Sequence, residues 1–215
     1  MNFYEKDKLS AIKAMEHAQW IAFAPFVFQA TRVLRDSNIL AVVEAKREGI
    51  TLEEIQQQVR RIAGELNKDY KDRRPLFIAI LNGSFMFAAD LFKYLTIDAE
   101  ISFIKLASYK GMKSSGNVIT AIGLEMDLVG REVVIVEDIV DTGKTLHQFL
   151  PKLHHQQPKS MKIAALLHKP DALQYPLQID YLGFSIPNKF VVGYGLDFDG
   201  LGRNYKEIYQ LATGS

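Results

Sequence analysis

The sequence predicts an α/β fold in which helices alternate with the strands of a mostly parallel sheet. Three observations carry this reading. From Arg74 onward, short apolar runs are separated by glycine-containing turns and helical stretches, the alternation that parallel strands and crossover helices require. The runs over 76–81, 132–136 and 162–167 are apolar on nearly consecutive residues, the mark of strands buried on both faces. Before about residue 70 the apolar positions instead recur at three- and four-residue spacing, which reads as helix.

A chain of 215 residues suits one large domain, or one domain with a small appendage. At 48% hydrophobic and 24% charged, the composition is that of a packed protein and excludes a disordered one. The 26 Lys and Arg nearly cancel the 25 Asp and Glu, so no global charge excess drives binding to nucleic acid, and any anion must be gripped locally. Without cysteine there are no disulfides, thiolate metal sites or thiol nucleophiles, which fits a reducing cytosol. The most apolar stretch, Trp20 to Phe28, is far shorter than the ~20 residues of a membrane helix. Glu5, Asp7 and Glu16 stand where a secretory leader would be basic. A cytoplasmic protein with no membrane span is expected.

Taken in order, residues 1 to about 70 are expected to be helical. Leu9, Ile12 and Met15 fall at helical spacing, as do Leu52, Ile55, Val59 and Ile62. Thr51 and Glu54 have the spacing of a capping box, which starts a helix after Gly49 and runs it towards Asn67. Pro25 ends or kinks any helix containing it. The aromatic run from Trp20 to Phe28 reads as core or subunit interface. Strands are expected over 76–81, 100–106, 132–136, 162–167 and 181–184, with a further extended piece over 190–194. A helix over 84–94 and a polar, glycine-bearing loop over 109–117 lie between them. A helix over 143–155 follows, which Pro151 should bend or shorten. No internal repeat, low-complexity tract or long linker divides the chain.

The segment richest in chemistry runs from Val133 to Leu146. A buried strand leads to two adjacent carboxylates, Glu137 and Asp138, and a loop with Asp141, Thr142 and Gly143 then opens a helix through Lys144 and Thr145. In open α/β sheets ligands bind at the carboxyl ends of strands, beside helix N-termini. Free amides with small hydroxyls there make a phosphate cradle. Buried adjacent carboxylates need hydroxyl donors, a metal ion or water, a need that ribose hydroxyls and Mg²⁺ would meet. Gly143-Lys144-Thr145 is like the tail of a nucleotide-triphosphate loop, but Asp138 stands where that motif requires glycine. His17, His147, His154, His155 and His168 form no metal-ligand spacing with the carboxylates.

In this order and spacing, Val134 to Thr145 resembles the phosphoribosyl pyrophosphate signature of type I phosphoribosyltransferases, and more narrowly the bacterial hypoxanthine phosphoribosyltransferase branch. The resemblance runs from about Leu52 to Leu211. It includes Leu81-Asn82-Gly83-Ser84-Phe85-Met86-Phe87, the stretches over 104–109 and 166–170, and Ile186 through Asp197. It implies a Rossmann-like twisted parallel sheet flanked by helices, with a core over about 70–180. A small hood subdomain, from about 181–215 plus N-terminal residues, would cover the site. It also implies a Mg²⁺-dependent purine salvage enzyme. Such an enzyme transfers 5-phosphoribosyl from phosphoribosyl pyrophosphate to hypoxanthine, and to guanine, giving IMP or GMP and pyrophosphate.

By this resemblance Glu137 and Asp138 hold the ribose 2- and 3-hydroxyls, directly or through Mg²⁺, and Asp197 supplies a second magnesium contact beside the base. Acceptor-only carboxylates suit two vicinal hydroxyl donors. Asp141 would manage the proton at purine N7 as general base, although its residue type equally suits a helix N-cap. Thr142, Gly143, Lys144 and Thr145 would wrap the 5-phosphate. Asn82, Gly83 and Ser84 match the pyrophosphate loop, which commonly has a non-proline cis peptide before its second residue; some relatives carry Lys where Asn82 stands. Gly83 allows close backbone approach, and Arg203 would contact the pyrophosphate with bidentate geometry. Lys169 would donate to the purine 6-oxo group, while Phe190 stacks on the ring and the Val191 backbone reads its edge. Ser108 and Tyr109 would begin a mobile loop, ending near Asn117, that closes over the site and excludes water.

Two other classes share parts of the pattern. A regulator of this fold would sense phosphoribosyl pyrophosphate while binding nucleic acid, but the near-neutral charge and the presence of Lys169 and Phe190 weigh against it. A transferase for xanthine or a pyrimidine base is the other. Backbone carbonyls, rather than side chains, would set the choice between hypoxanthine and guanine. The division expected is a helical extension over 1–50 and a phosphoribosyltransferase domain over 51–215. Trp20, Phe23, Phe26 and Phe28 suit the extension to an interface in a homodimer or homotetramer.

Overall fold

The computed structural model describes residues 49–109, 118–123 and 126–210. The expectations for the rest of the extension and for the loop over 110–117 lie outside the described residues.

After a short strand, β1 (Gly49–Ile50), comes helix α1 (Leu52–Asp69). Its capping box is present: the Thr51 hydroxyl accepts from the Glu54 amide, and the Glu54 carboxylate accepts the Thr51 N–H at 2.9 Å. Ile55, Val59, Ile62, Ala63 and Leu66, spaced at helical period, form its buried face. Six strands then build the main sheet: β2 (Leu76–Leu81), β3 (Glu100–Tyr109), β4 (Val118–Ile122), β5 (Glu132–Val140), β6 (Ser160–His168) and β7 (Tyr181–Ser185). Their order is β4-β3-β2-β5-β6-β7; all neighbours are parallel except β3 and β4.

The central strands are apolar on both faces because each face meets a helix layer. Phe77, Ala79, Val134, Val136, Ala164 and Leu166 pack towards α1 and α2 (Phe85–Tyr94). The alternate residues Leu76, Ile78, Val133, Ile135, Ile163 and Ala165 join a second core with Leu146, Phe149 and Leu153 of α3 (Lys144–His154). Pro151 lies inside α3, which nevertheless continues to His154. A second, antiparallel sheet has the order β1-β9-β8, with β8 at Val191–Val192 and β9 at Ile208–Gln210.

Several sequence expectations change. Gly49–Ile50 is strand, not helix, because it pairs with Tyr209 and Ile208 far along the chain, a partner that local spacing does not reveal. A side chain at Gly49 would place Cβ 2.2 Å from the Ile208 carbonyl oxygen. The hood boundary drawn at 181 moves beyond Ser185, since Tyr181–Ser185 pairs in parallel with β6 in the main sheet. The extended piece over 190–194 shrinks to Val191–Val192 because Gly193 and Tyr194, at φ 104° and 48°, turn the chain. Pairing with β6 carries β5 past residue 136 to Val140, so Glu137 and Asp138 lie within the strand. β4 was not expected, although Val118, Ile119, Thr120 and Ile122 are β-branched. Among the described residues, no helix is long and apolar enough to cross a membrane.

Candidate active site

The site forms at the carboxyl ends of β2, β5 and β6, with the hood sheet beside it. Glu137 and Asp138 occupy the end of β5. Glu137 Oε2 is buried with no hydrogen-bond partner among the described residues. Burial, reinforced by the Asp138 charge, pushes the Glu137 carboxyl well above the usual carboxylate range. Burial also pushes Asp138 up to about 6, against the pull of backbone amides at Ile139 and Asp138 and of the Arg203 guanidinium. Two crowded acids, one with an orphaned oxygen, are what a dihydroxylated sugar or a cation would relieve.

Beyond β5 the chain makes the loop 141–143 and enters α3. Gly143, at φ 76°, is the N-cap and offers no side-chain cap, so Asp141 does not play that part. Two amides, from Gln174 and Tyr175, donate to the Thr142 carbonyl at 3.0 and 3.1 Å and brace the loop from behind. A Cβ at Gly143 would fall 2.6 Å from the Tyr175 carbonyl oxygen, so the brace leaves no room for a larger residue. The Lys144 amide reaches the Thr142 hydroxyl at 3.3 Å, and the Lys144 and Thr145 side chains are exposed. The first-turn amides of a helix have no helical partners, which suits this terminus to an anion.

Asp141 instead meets Lys169, just past β6: Lys169 Nζ donates to Asp141 Oδ2 at 2.8 Å. The lysine side chain is 7% exposed and the aspartate 45%, so the pair presents its carboxylate to solvent and hides its ammonium. The Lys169 amide donates to the Val140 carbonyl at 2.9 Å, fixing the backbone from which the side chain springs.

The Leu81–Asn82 peptide is cis, as the resemblance implied. Asn82 is exposed, but Ser84 is fully buried and donates its hydroxyl to the Ile80 carbonyl at 2.6 Å. The Ser84 hydroxyl hydrogen is therefore committed to holding the loop rather than to a ligand. Gly83 lies against Asp138: a Cβ there would fall 1.6 Å from Asp138 Oδ2. On the hood side, a Cβ at Gly195 would fall 2.1 Å from the Gly83 carbonyl oxygen. Arg203 donates to the Gly195 carbonyl at 2.6 Å and meets Asp197 at 2.5 Å, while Asp197 also accepts the Gly200 amide at 2.7 Å. The structure thus brings Asp138, Gly83, Gly195, Asp197 and Arg203 into one packed group. Gly195 was not anticipated as part of it; alternating glycines in Gly193-Tyr194-Gly195 were the available signal.

Phe190 precedes β8, is 47% exposed and meets Phe198 edge to face at 5.5 Å, so it is not a core aromatic. Val191 pairs through its backbone with Gln210. The Ile186 amide donates to the His168 carbonyl at 2.8 Å, which keeps the 186–191 segment beside the end of β6 and so on the side of Lys169. Ser108 and Tyr109 end β3, in register with Ile119 and Val118; the loop they enter is outside the described residues.

Among the described residues, no three acidic or histidine side chains cluster into a ready-made metal cage. Asp197 is already occupied by Arg203 and Gly200. Glu137 and Asp138, with one acceptor left over, fit a cation of the Mg²⁺ kind, which is commonly held by one or two carboxylates and completed by substrate oxygens.

A family profile described as phosphoribosyl transferase domain matches residues 51–199. A second, described as Dimerisation2-like domain, matches residues 15–63. Among curated proteins, a hypoxanthine phosphoribosyltransferase of Buchnera aphidicola is 43% identical over 152 residues, covering 69% of this chain and 86% of the relative. A hypoxanthine-guanine-xanthine phosphoribosyltransferase of Tritrichomonas foetus is 39% identical over 157 residues, covering 73% and 86%. A crystal structure of a Staphylococcus aureus hypoxanthine phosphoribosyltransferase superposes with TM-score 0.72 at 35% identity, over 77% of this chain and 91% of that one. A Bacillus anthracis hypoxanthine-guanine phosphoribosyltransferase, solved with HEPES in its active site, gives TM-score 0.71 at 33% identity, over 77% and 99%. By sequence, fold and the placement of its signature loop, the chain belongs to the phosphoribosyl transferase domain family.

Proposed function

We propose that the chain is a purine salvage enzyme that transfers 5-phosphoribosyl from phosphoribosyl pyrophosphate to N9 of hypoxanthine and guanine. The observation that carries this most directly is the junction of β5 and α3. An orphaned carboxylate oxygen on Glu137, the neighbouring Asp138 and a braced helix N-terminus lie next to one another, where one sugar phosphate would meet all three. Relatives at 35% to 43% identity are named as hypoxanthine or hypoxanthine-guanine phosphoribosyltransferases, which supports the same reaction here.

In this reading the amides and hydroxyls of 142–145 hold the 5-phosphate, and Glu137 and Asp138 accept from the ribose hydroxyls. Asn82, the Gly83 backbone and Arg203 face the pyrophosphate. Arg203 retains N–H donors beyond those on Gly195 and Asp197, because a guanidinium has five. The C1–O bond to pyrophosphate breaks as the C1–N bond to the purine forms, with inversion and oxocarbenium character in the transition state. Pyrophosphate departs with the bonding pair. Asp141 accepts the proton the purine must lose, at N7, and the neighbouring Lys169 donates to the 6-oxo group. Adenine, with an amino donor at that position, is disfavoured. Phe190, exposed at the rim, stacks on the base. Mg²⁺ held at Glu137 and Asp138 would supply positive charge for the ribose and pyrophosphate oxygens.

The match of residues 15–63 to a dimerisation domain supports a homo-oligomer assembled through the amino-terminal region, and the cysteine-free composition supports a cytoplasmic setting. Steady-state turnover on a panel of hypoxanthine, guanine, xanthine, adenine and uracil tests the function. Efficient transfer to hypoxanthine and guanine, with adenine and uracil inert, is expected. Preference for xanthine or uracil would instead favour a different base specificity, and binding of phosphoribosyl pyrophosphate without transfer to any base would favour the regulator.

A further inference from the structure

We infer that Tyr194 and Asp90 form a positioning pair that sets how closely the hood closes on the pyrophosphate loop. The inference rests on the assignment of 81–84 as that loop. Neither residue belongs to the pyrophosphate, ribose or base contacts proposed above.

The two loops make their closest contact backbone to backbone. Gly195 sits on the Gly83 carbonyl so closely that a Cβ would lie 2.1 Å from it, and Gly83 in turn sits on the Asp138 carboxylate. Such a contact has no side chain to interlock, so something nearby must hold its spacing. Tyr194, the residue before Gly195, is 1% exposed and held at φ 48°, a conformation uncommon outside glycine. Its hydroxyl crosses from the hood to α2 and donates to Asp90 Oδ2 at 2.7 Å. α2 is the helix that opens directly after the loop 81–84. The bond thus ties the far side of the Gly83–Gly195 contact to the helix that follows Gly83.

Asp90 is itself anchored. Lys93 donates to its Oδ1 at 2.6 Å, and Gln56 of α1 donates to Oδ2. Tyr94 donates to Gln56 Oε1 at 3.1 Å, so the network spans α1, α2 and the hood. Arg203 and Asp197 hang from the same hood turn through the Gly195 carbonyl and their own ion pair. If the Tyr194 hydroxyl lets go, the turn bearing both is free to lift from the pyrophosphate loop, while Lys169 stays on the main sheet through its amide bond to the Val140 carbonyl. The loss should therefore fall on phosphoribosyl pyrophosphate and spare the base.

The test compares wild type with Tyr194→Phe, Asp90→Ala, Asp90→Asn and a control, Tyr181→Phe. Tyr181 is 3% exposed and donates a similar bond to Asp69, at 2.8 Å, but stands at the opposite end of the sheet. Tyr194→Phe and Asp90→Ala should each raise the KM for phosphoribosyl pyrophosphate about tenfold and change that for hypoxanthine less than about twofold. Asp90→Asn, which keeps an acceptor for the tyrosine hydroxyl, should recover most of the loss. Tyr181→Phe should lower Tm comparably without the KM split. Unchanged KM for phosphoribosyl pyrophosphate in both Tyr194→Phe and Asp90→Ala, or an equal change for base and pyrophosphate donor, overturns the inference while leaving the function standing. An Asp90→Asn as impaired as Asp90→Ala overturns it too. A wild-type chain without transfer overturns both.

Discussion

Lys169 Nζ and Asp141 Oδ2 stand 2.8 Å apart, so the cation proposed to read the purine and the carboxylate proposed to take its proton form one ion pair. The lysine is buried and the aspartate half open, an arrangement in which each group depends on the other. A buried ammonium needs its counter-charge.

Asp141→Asn should therefore lower kcat about 10²- to 10³-fold with little change in the KM for phosphoribosyl pyrophosphate, since general-base catalysis is worth roughly that much. The measurement is steady-state kinetics at saturating hypoxanthine. Wild-type rates in the variant would remove Asp141 from proton handling.

Lys169→Met removes the proposed donor to the 6-oxo group and leaves Asp141 without its lysine partner. The ratio of kcat/KM for hypoxanthine over adenine should fall by about 10² or more, because a site built to hydrogen-bond a group discriminates strongly against its absence. Competition between the two bases, followed by product separation, checks it.

Gly83→Ala and Gly64→Ala form an informative pair. The first places Cβ 1.6 Å from Asp138 Oδ2 and must displace the loop or the carboxylate, whereas the second meets nothing within 4 Å on an exposed part of α1. Gly83→Ala should reduce kcat/KM for phosphoribosyl pyrophosphate by about 10² or more. Gly64→Ala should leave kinetics unchanged and stabilise the chain by about 0.5–1 kcal/mol, the usual gain in a helix interior. Kinetics and urea midpoints together read both.

Asp138 gives a pH signature with a definite sign. Burial raises its folded-state value to about 6, above its ordinary 3.8, so between these values the folded chain holds a proton that the unfolded chain has released. Stability from this group is full below the unfolded value and is lost as pH rises through about 6. Asp138→Asn should remove this group's share of the dependence, leaving that of Glu137, and stabilise the free protein at neutral pH by on the order of 2 kcal/mol. Urea unfolding from pH 4 to 7.5 in chelator is the check; a variant no more stable than wild type at pH 7 would contradict it.

The strands and helices legible in the sequence were those whose pattern is local. α1 announced itself through Thr51, Glu54 and a 3.6-residue apolar face, and β2, β5 and β6 through runs that only a two-sided core explains. What was misread depends on distant partners: Gly49–Ile50 becomes strand only because Ile208 and Tyr209 lie beside it, and Tyr181–Ser185 joins the main sheet through β6. The site shows the same division. The Glu137–Thr145 segment was legible as a contiguous motif. The Gly83–Gly195 contact and the Lys169–Asp141 pair join residues far apart in the chain and required the fold. Ser84 matched the loop motif by type, yet its hydroxyl is bound to Ile80, a detail set by backbone geometry.

The proposed transfer requires one ligand lying across β5 and α3. A crystal structure of the protein with IMP tests this directly. The phosphate should rest on the amides of 142–145 with both ribose hydroxyls within hydrogen-bond reach of Glu137 or Asp138. A nucleotide bound with its phosphate elsewhere and those carboxylates untouched would contradict it.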